Sequence, residues 1–173
     1  GCSNQCEIRR VKIEGEKRPL YYGGRCEKWE LDERKGRGEG IPNLYVEREQ
    51  MLRGGFQEDT PVEAGVTTIG LPRGLMTYWQ QFPFWRTFFG RLGLKVVLSR
   101  PSDRRLVARS LENINAETCF PVEVMTGHVL DLFDQGVDYV FAPFVVDVEA
   151  QDDNPTVNYN CPWVQTYPFM IRG

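Results

Sequence analysis

The sequence predicts an α/β protein built on a parallel, doubly wound sheet of the Rossmann-like or flavodoxin-like kind. Three observations lead there. Short apolar runs at "VTTIGLP", "KVVLS" and "DYVFAPFVV" alternate with segments of helical periodicity. The last of these runs is continuously apolar, as expected of a strand covered on both faces. Each connection is long enough for a helical crossover, which parallel pairing requires.

The elements follow in order. Before residue 63 the chain is rich in charge and glycine. "CEIRRVKIEGEKRPLYYGGRC" places Ile8, Val11 and Ile13 among Arg and Lys, and predicts a β-hairpin turning around Glu14 to Arg18 and returning through Leu20 to Tyr22. "LDERKGRGEG" reads as a charged linker, and "NLYVEREQMLRGG" as a short helix stopped by Gly54 and Gly55. Residues 1–62 are therefore assigned to a small, β-rich, cysteine-bearing appendage with a linker. Residues 63–173 are assigned to the α/β domain, expected to be incomplete at its C-terminal end. Strands are predicted at about 66–71, 95–99 and 138–144.

Between the first two strands, "PFWRTFFGRLG" opens with Pro83 and closes with Gly93, and Trp85, Phe88, Phe89 and Leu92 define its apolar face. "PSDRRLVARSLENI" gives a second helix with Leu106, Val107, Leu111 and Ile114 on one side. Pro121 to Gln135 gives a third, with Val122, Met125, Val129, Leu132 and Phe133 inward. "NYNCPWVQTYP" is read as an aromatic-rich loop after the last strand.

Composition excludes several classes. The chain has 173 residues, 41% of them hydrophobic, so a packed core is expected. The net charge of −3 is the wrong sign for a nucleic-acid surface. No run approaches the roughly 18 apolar residues of a membrane span, and no signal peptide is recognisable, so a cytoplasmic location is expected. "GLPRGL" after the first strand lacks both the GK[ST] and the GxGxxG patterns, which leaves nucleotide binding weakly supported. Arg73 there is read as a solvated residue or an anion contact. His128, the sole histidine, is expected at the surface or behind other site residues, and no Ser-His-Asp motif surrounds it.

The chemistry centres on five cysteines, Cys2, Cys6, Cys26, Cys119 and Cys161, an odd number that cannot pair completely within one chain. Cys119 sits in the polar turn "NAETCFP", just before the Pro121 helix. Cys161 follows the last strand. In a parallel sheet both positions fall at the C-terminal edge, where open α/β sheets bind ligands. A helix N-terminus also favours a thiolate, the form that binds metal. Cys119 and Cys161 are thus expected to share a cleft as cofactor or metal ligands; inert structural thiols are the other reading. Asn158, Asn160 and Gln165 are placed to hydrogen-bond a coordinated sulfur. Cys2, Cys6 and Cys26, on the two ends of the hairpin, are expected to converge as a small metal knuckle suited to zinc, although a structural zinc site takes four ligands.

"IGLPRGLMTYWQQFPFWRTFFGRLGLKVVLS", "ETCFPVEVMTGHVLDLFDQGVDYVFAPF" and "YNCPWVQTYP", in that order, resemble the region that follows the ATPase domains in large CoA-substrate-specific enzyme activases, relatives of the activator of 2-hydroxyacyl-CoA dehydratases. "CSNQC" and "GGRCEKW" resemble the cysteine-bearing segment before that region. The resemblance implies a dehydratase-like module of anaerobic iron–sulfur chemistry, with Cys119 and Cys161 as cluster ligands. The remaining ligands would come from further sequence or a partner. It also implies ATPase domains of the same full-length chain, or a dehydratase-like protein, as partners. The intact protein would belong to an ATP-dependent activase system, and this piece alone would be inactive. The alternative is a non-catalytic interaction or scaffold module with structural or zinc-bound cysteines.

Overall fold

The computed structural model describes residues 5–16, 19–24, 42–57, 64–148 and 158–172. Its α/β body is the predicted one. Strands β3 (Thr68–Leu71), β4 (Lys95–Leu98) and β5 (Tyr139–Val140) form a sheet in the order β4-β3-β5. Both pairings are parallel, with Ile69 opposite Val96 and Tyr139. The N-terminal hairpin is present as β1 (Arg9–Val11) antiparallel to β2 (Leu20–Tyr22). Helix α1 (Leu44–Arg53) follows, opened by Asn43, whose side-chain oxygen accepts the Tyr45 and Val46 N–H groups.

Side-chain alternation along β3 divides the two faces. Ile69 and Leu71 pack with Val96 and Leu98 against α2 (Leu75–Trp79) and α3 (Phe82–Arg91), through Tyr78, Phe82 and Phe89. Gly70 faces the other way. A Cβ there would meet Leu132 at 2.9 Å and Val137 at 3.1 Å, so glycine lets α5 (Phe120–Asp134) lie directly on the strand. Helix α4 (Arg104–Glu112), opened by Asp103 accepting the Leu106 N–H at 2.7 Å, packs on α5. The contact is close. A Cβ on Gly127 would sit 2.1 Å from Ser110 Oγ and 2.6 Å from the Leu106 carbonyl.

Four expectations need correction. The buried stripe of α3 is Phe82 and Phe89 with half-buried Trp85; Phe88 and Leu92 are exposed. Positions 82, 85 and 89 are the ones spaced to face the sheet, and Leu92 is already the C-cap. On α5, Val122, Met125, Val129 and Leu132 are buried as predicted, but Phe133 is 61% exposed, one step round from Leu132. The third strand is only two residues long. After Phe141 N–H donates to the Gly70 carbonyl at 2.8 Å, the chain leaves the sheet through Ala142 and Pro143. β5 is an edge strand among the described residues, and Tyr139 is exposed rather than covered. The stretch 158–168, predicted to be a loop, instead enters helix α6 (Pro162–Met170) directly after Cys161.

Helix α5 sets the polarity of the site. Its Leu132 lies over Gly70 in mid-strand, and its Met125 lies against Gly74, past the strand end. It therefore runs antiparallel to β3, and its first turn projects beyond the C-terminal edge of the sheet.

Candidate functional site

The edge is closed by a buried polar network. After Leu71, the turn Pro72-Arg73-Gly74 brings Arg73 beside Ser99, the residue after β4. The Arg73 backbone N–H donates to Ser99 Oγ at 2.8 Å, and its Nε donates to the Ser99 carbonyl. The guanidinium also donates to Tyr78 Oη at 3.2 Å and pairs with Glu49 of α1 at 3.5 Å, while the Tyr78 hydroxyl donates to Glu49 at 3.0 Å. Burial, reinforced by Glu49, pushes the Tyr78 phenol up to about 12 against the opposing pull of Arg73. Arg73 is only 6% exposed, so it is a structural clamp and not the solvated residue that its loop position suggested. The turn is also strained. Leu75 adopts φ +51°, and a Cβ at Gly74 would collide with Met125 Sδ at 2.2 Å.

His128 completes the network from α5. It is 1% exposed, contrary to the surface expectation, because it shares the sheet-facing stripe with Met125, Val129 and Leu132. Its Nδ1 lies 2.9 Å from Ser99 Oγ and its Nε2 2.9 Å from Ser102 Oγ. Ser99 is fully buried and already accepts the Arg73 N–H, so the acceptor for its hydroxyl hydrogen is Nδ1. Nε2 therefore carries the proton and donates to Ser102. This tautomer cannot take a proton from Ser102, so the Ser102–His128 contact is no activated nucleophile. Burial lowers the imidazole pKa to about 4; Asp131 opposes that shift and Arg73 adds to it.

One turn further along α5, Asp131 accepts the Arg100 N–H at 2.8 Å, its Nε at 2.6 Å and Gln135 Nε2 at 2.9 Å. Burial alone would raise its pKa, but these bonds outweigh it and hold the carboxyl below the usual range. An adjoining cleft of about 60 Å³ is lined by Arg100, Arg105 and Arg109. Asp131 and Asp134 pair with Arg100 and Arg109, so the cleft offers little net positive charge to an anion.

The cysteines stand outside this network. Cys119 is the N-cap of α5 (φ −76°, ψ 144°) and Cys161 the N-cap of α6 (φ −53°, ψ 136°). Both are exposed free thiols, both precede a proline in the first turn, and neither caps its helix through its side chain. The sequence thus placed Cys119 at a helix start correctly. It missed that Cys161 is the same kind of position.

Around Cys161, Asn160 Nδ2 donates to the Val145 carbonyl at 3.1 Å and lies 3.1 Å from Met76 Sδ, and Gln165 Nε2 donates to the Asn160 carbonyl at 2.7 Å. These amides shape the loop and are not held in reserve for a sulfur ligand. Around Cys119, the far end of α6 packs through Tyr167 and Met170 on Val122 and Met125, and Asn115 Nδ2 donates to the Met170 carbonyl at 3.2 Å. α6 therefore lies across the C-terminal edge. Its nine residues span about 13 Å, with Cys161 at one end and the α5 contact at the other.

As metal donors, the two thiols fit by chemistry and exposure but do not form a complete set. Among the described residues no three His, Cys, Asp or Glu side chains gather as a metal site, whereas an iron–sulfur cluster takes four ligands. Cys6 is half-buried just before β1; Cys2 and Cys26 lie outside the described residues, and so does the predicted convergence of the three.

These features define a parallel α/β module with a polar lock at its C-terminal sheet edge and a cysteine heading each of two helices there. Residues 68–173 match the family described as "CoA enzyme activase uncharacterised domain (DUF2229)", and the chain belongs to that family. The match begins at the first residue of β3. No curated protein and no solved structure matches the chain. No helix among the described residues is long and apolar enough to cross a membrane.

Proposed function

We propose that this domain contributes Cys119 and Cys161 as two donors to an iron–sulfur cluster in a CoA enzyme activase-type protein. The remaining ligands come from other segments of the full-length protein or from a dehydratase-like partner. The assembled protein serves reductive activation or dehydration of acyl-CoA-type substrates. When bound, the cluster supplies one-electron chemistry. The domain's own residues supply placement: Arg73, Ser99 and His128 fix the edge from which the two helix starts project. The observation that carries this reading is the pairing of roles, two exposed cysteines each heading a proline-opened helix and neither used as a side-chain cap. Membership of the activase family supports the system to which the domain is assigned. Anaerobic reconstitution of the full-length protein with iron and sulfide tests it. Cys119→Ala and Cys161→Ala are each expected to lower iron and sulfide content and the EPR signal together. Retention of both at wild-type level in both variants would remove the proposal.

One observation favours a second reading, an interaction module that docks on the ATPase domains or a partner subunit and whose N-terminal cysteines hold zinc. On α3, Phe84 and Phe88 are 61% and 44% exposed and stack at 6.0 Å on the outer side of the helix. Under this reading Phe88→Ser would weaken association and leave iron content unchanged.

A further inference from the structure

Cys119 and Cys161 share more than a helix start. The segments they open, "CFPVE" and "CPWVQ", each hold a proline in the first turn, a valine three residues after the cysteine, and Glu or Gln four residues after it. A helical side chain leans back toward the N-terminus, over the turn before its own Cα. The residue four places on can therefore reach the chain just ahead of the cysteine.

Both do so. Glu123 Oε1 accepts the N–H of Thr118 at 3.0 Å, and Thr118 immediately precedes Cys119. Gln165 Nε2 donates to the carbonyl of Asn160 at 2.7 Å, and Asn160 immediately precedes Cys161. The same device thus closes the chain ahead of each thiol, once by accepting and once by donating. Asn160 is held further, its N–H donating to the Val146 carbonyl at 2.9 Å and its Nδ2 to the Val145 carbonyl at 3.1 Å. Glu123 is only 9% exposed, and no cation pairs with it among the described residues. Burying a carboxylate is costly unless it is hydrogen-bonded, and here the bond it makes is the one to the backbone ahead of Cys119.

We infer that Glu123 and Gln165 are a matched pair of positioning residues, each holding the backbone one residue ahead of its cysteine so that both thiols are presented in a fixed attitude to one metal centre. Their role in placing ligands rests on the cluster reading of Cys119 and Cys161; the two clamps are present without it. The chemistry of the clamps differs in a way that substitution can read. An amide at 123 still offers an oxygen to the Thr118 N–H. A carboxylate at 165 has no hydrogen for the Asn160 carbonyl and would face it with like charge.

The test is the rate at which iodoacetamide alkylates each cysteine in reduced, metal-free, full-length protein, resolved by peptide mass spectrometry. Glu123→Ala is expected to raise the Cys119 rate about fivefold, the worth of one hydrogen bond, and to leave Cys161 within about twofold of wild type. Gln165→Ala is expected to do the reverse. Glu123→Gln should match wild type at Cys119, whereas Gln165→Glu should match Gln165→Ala at Cys161. A merely structural loss would speed both cysteines together, which would overturn the inference. So would rates that do not move, or a Glu123→Gln variant as fast as Glu123→Ala, which would show that charge and not the bond acts. If Glu123→Ala fails to fold, Glu123→Gln and Gln165→Glu decide between them. Iron and sulfide after anaerobic reconstitution are read on the same variants, and are expected to fall in Glu123→Ala and Gln165→Glu and to stay at wild-type level in Glu123→Gln. Unmoved alkylation rates in chains whose Cys119→Ala and Cys161→Ala variants lose iron would remove the clamps alone. Full iron in both cysteine variants would remove the cluster reading, and with it the role of the clamps in placing ligands.

Discussion

The two halves of helix α5 carry opposite designs. Its C-terminal half is spent on the fold: Gly127, His128 and Asp131 meet α4, Ser99 and Arg100 through close contacts and fully assigned hydrogen bonds. Its N-terminal half projects past the sheet, packs Val122 and Met125 on α6 and Val124 on α4, and ends in Cys119, an exposed thiol that caps nothing. A single helix thus joins a rigid anchor to a presented group. Substitutions in the anchored half should cost stability, and substitutions at the presented end should cost function without stability.

The largest expected effect is of pH. His128 is neutral in the folded chain with its pKa depressed to about 4, while unfolded histidine titrates near its ordinary value of 6.5. Between those values the unfolded state binds more protons, so stability is fully present above about pH 6.5 and is lost as pH falls toward 4. The shift corresponds to about 3 kcal/mol. Urea unfolding at pH 7, 5.5 and 4 should show this loss, and His128→Gln should flatten the slope across the window. An unchanged slope in that variant would mean that other groups carry the dependence.

Gly127→Ala comes next. The added Cβ would lie 2.6 Å from the Leu106 carbonyl, a backbone atom that cannot swing aside. A loss of about 2–3 kcal/mol is expected from denaturant midpoints. Ser99→Ala should cost about 2 kcal/mol, because it strands the Arg73 N–H and His128 Nδ1 in a buried site. If it proves neutral, the network is not the lock described. At the presented end, Cys119→Ala and Cys161→Ala should each stay within about 0.5 kcal/mol of wild type, as exposed residues outside any bonded network do.

The sequence made the presented end readable and hid the anchor. Cys119 could be placed because Pro121 and the apolar spacing from Val122 to Leu132 mark a helix start, and because strand–helix alternation orients that start toward the C-terminal edge. The anchor is a long-range arrangement. Ser99 and His128 are separated by 29 residues in the chain, and nothing local joins them. One signal was available: His128 falls on the Met125–Val129–Leu132 stripe, which places it inside. α6 escaped notice because Pro168 interrupts its helical pattern, yet Pro162 opens it just as Pro121 opens α5. The length of β5 was overestimated because an apolar run cannot show where pairing ends. Here it ends at the sheet's edge, with Tyr139 in solvent.

The contrast between anchor and presented thiols is tested most directly by iron analysis of anaerobically prepared full-length protein, with thermal unfolding of the same samples. Cys119→Ala and Cys161→Ala are each predicted to lose iron and sulfide at an unchanged unfolding midpoint, whereas Ser99→Ala lowers the midpoint. Wild-type iron and sulfide in both cysteine variants would contradict the account and leave Cys119 and Cys161 as bystanders at the edge of the sheet.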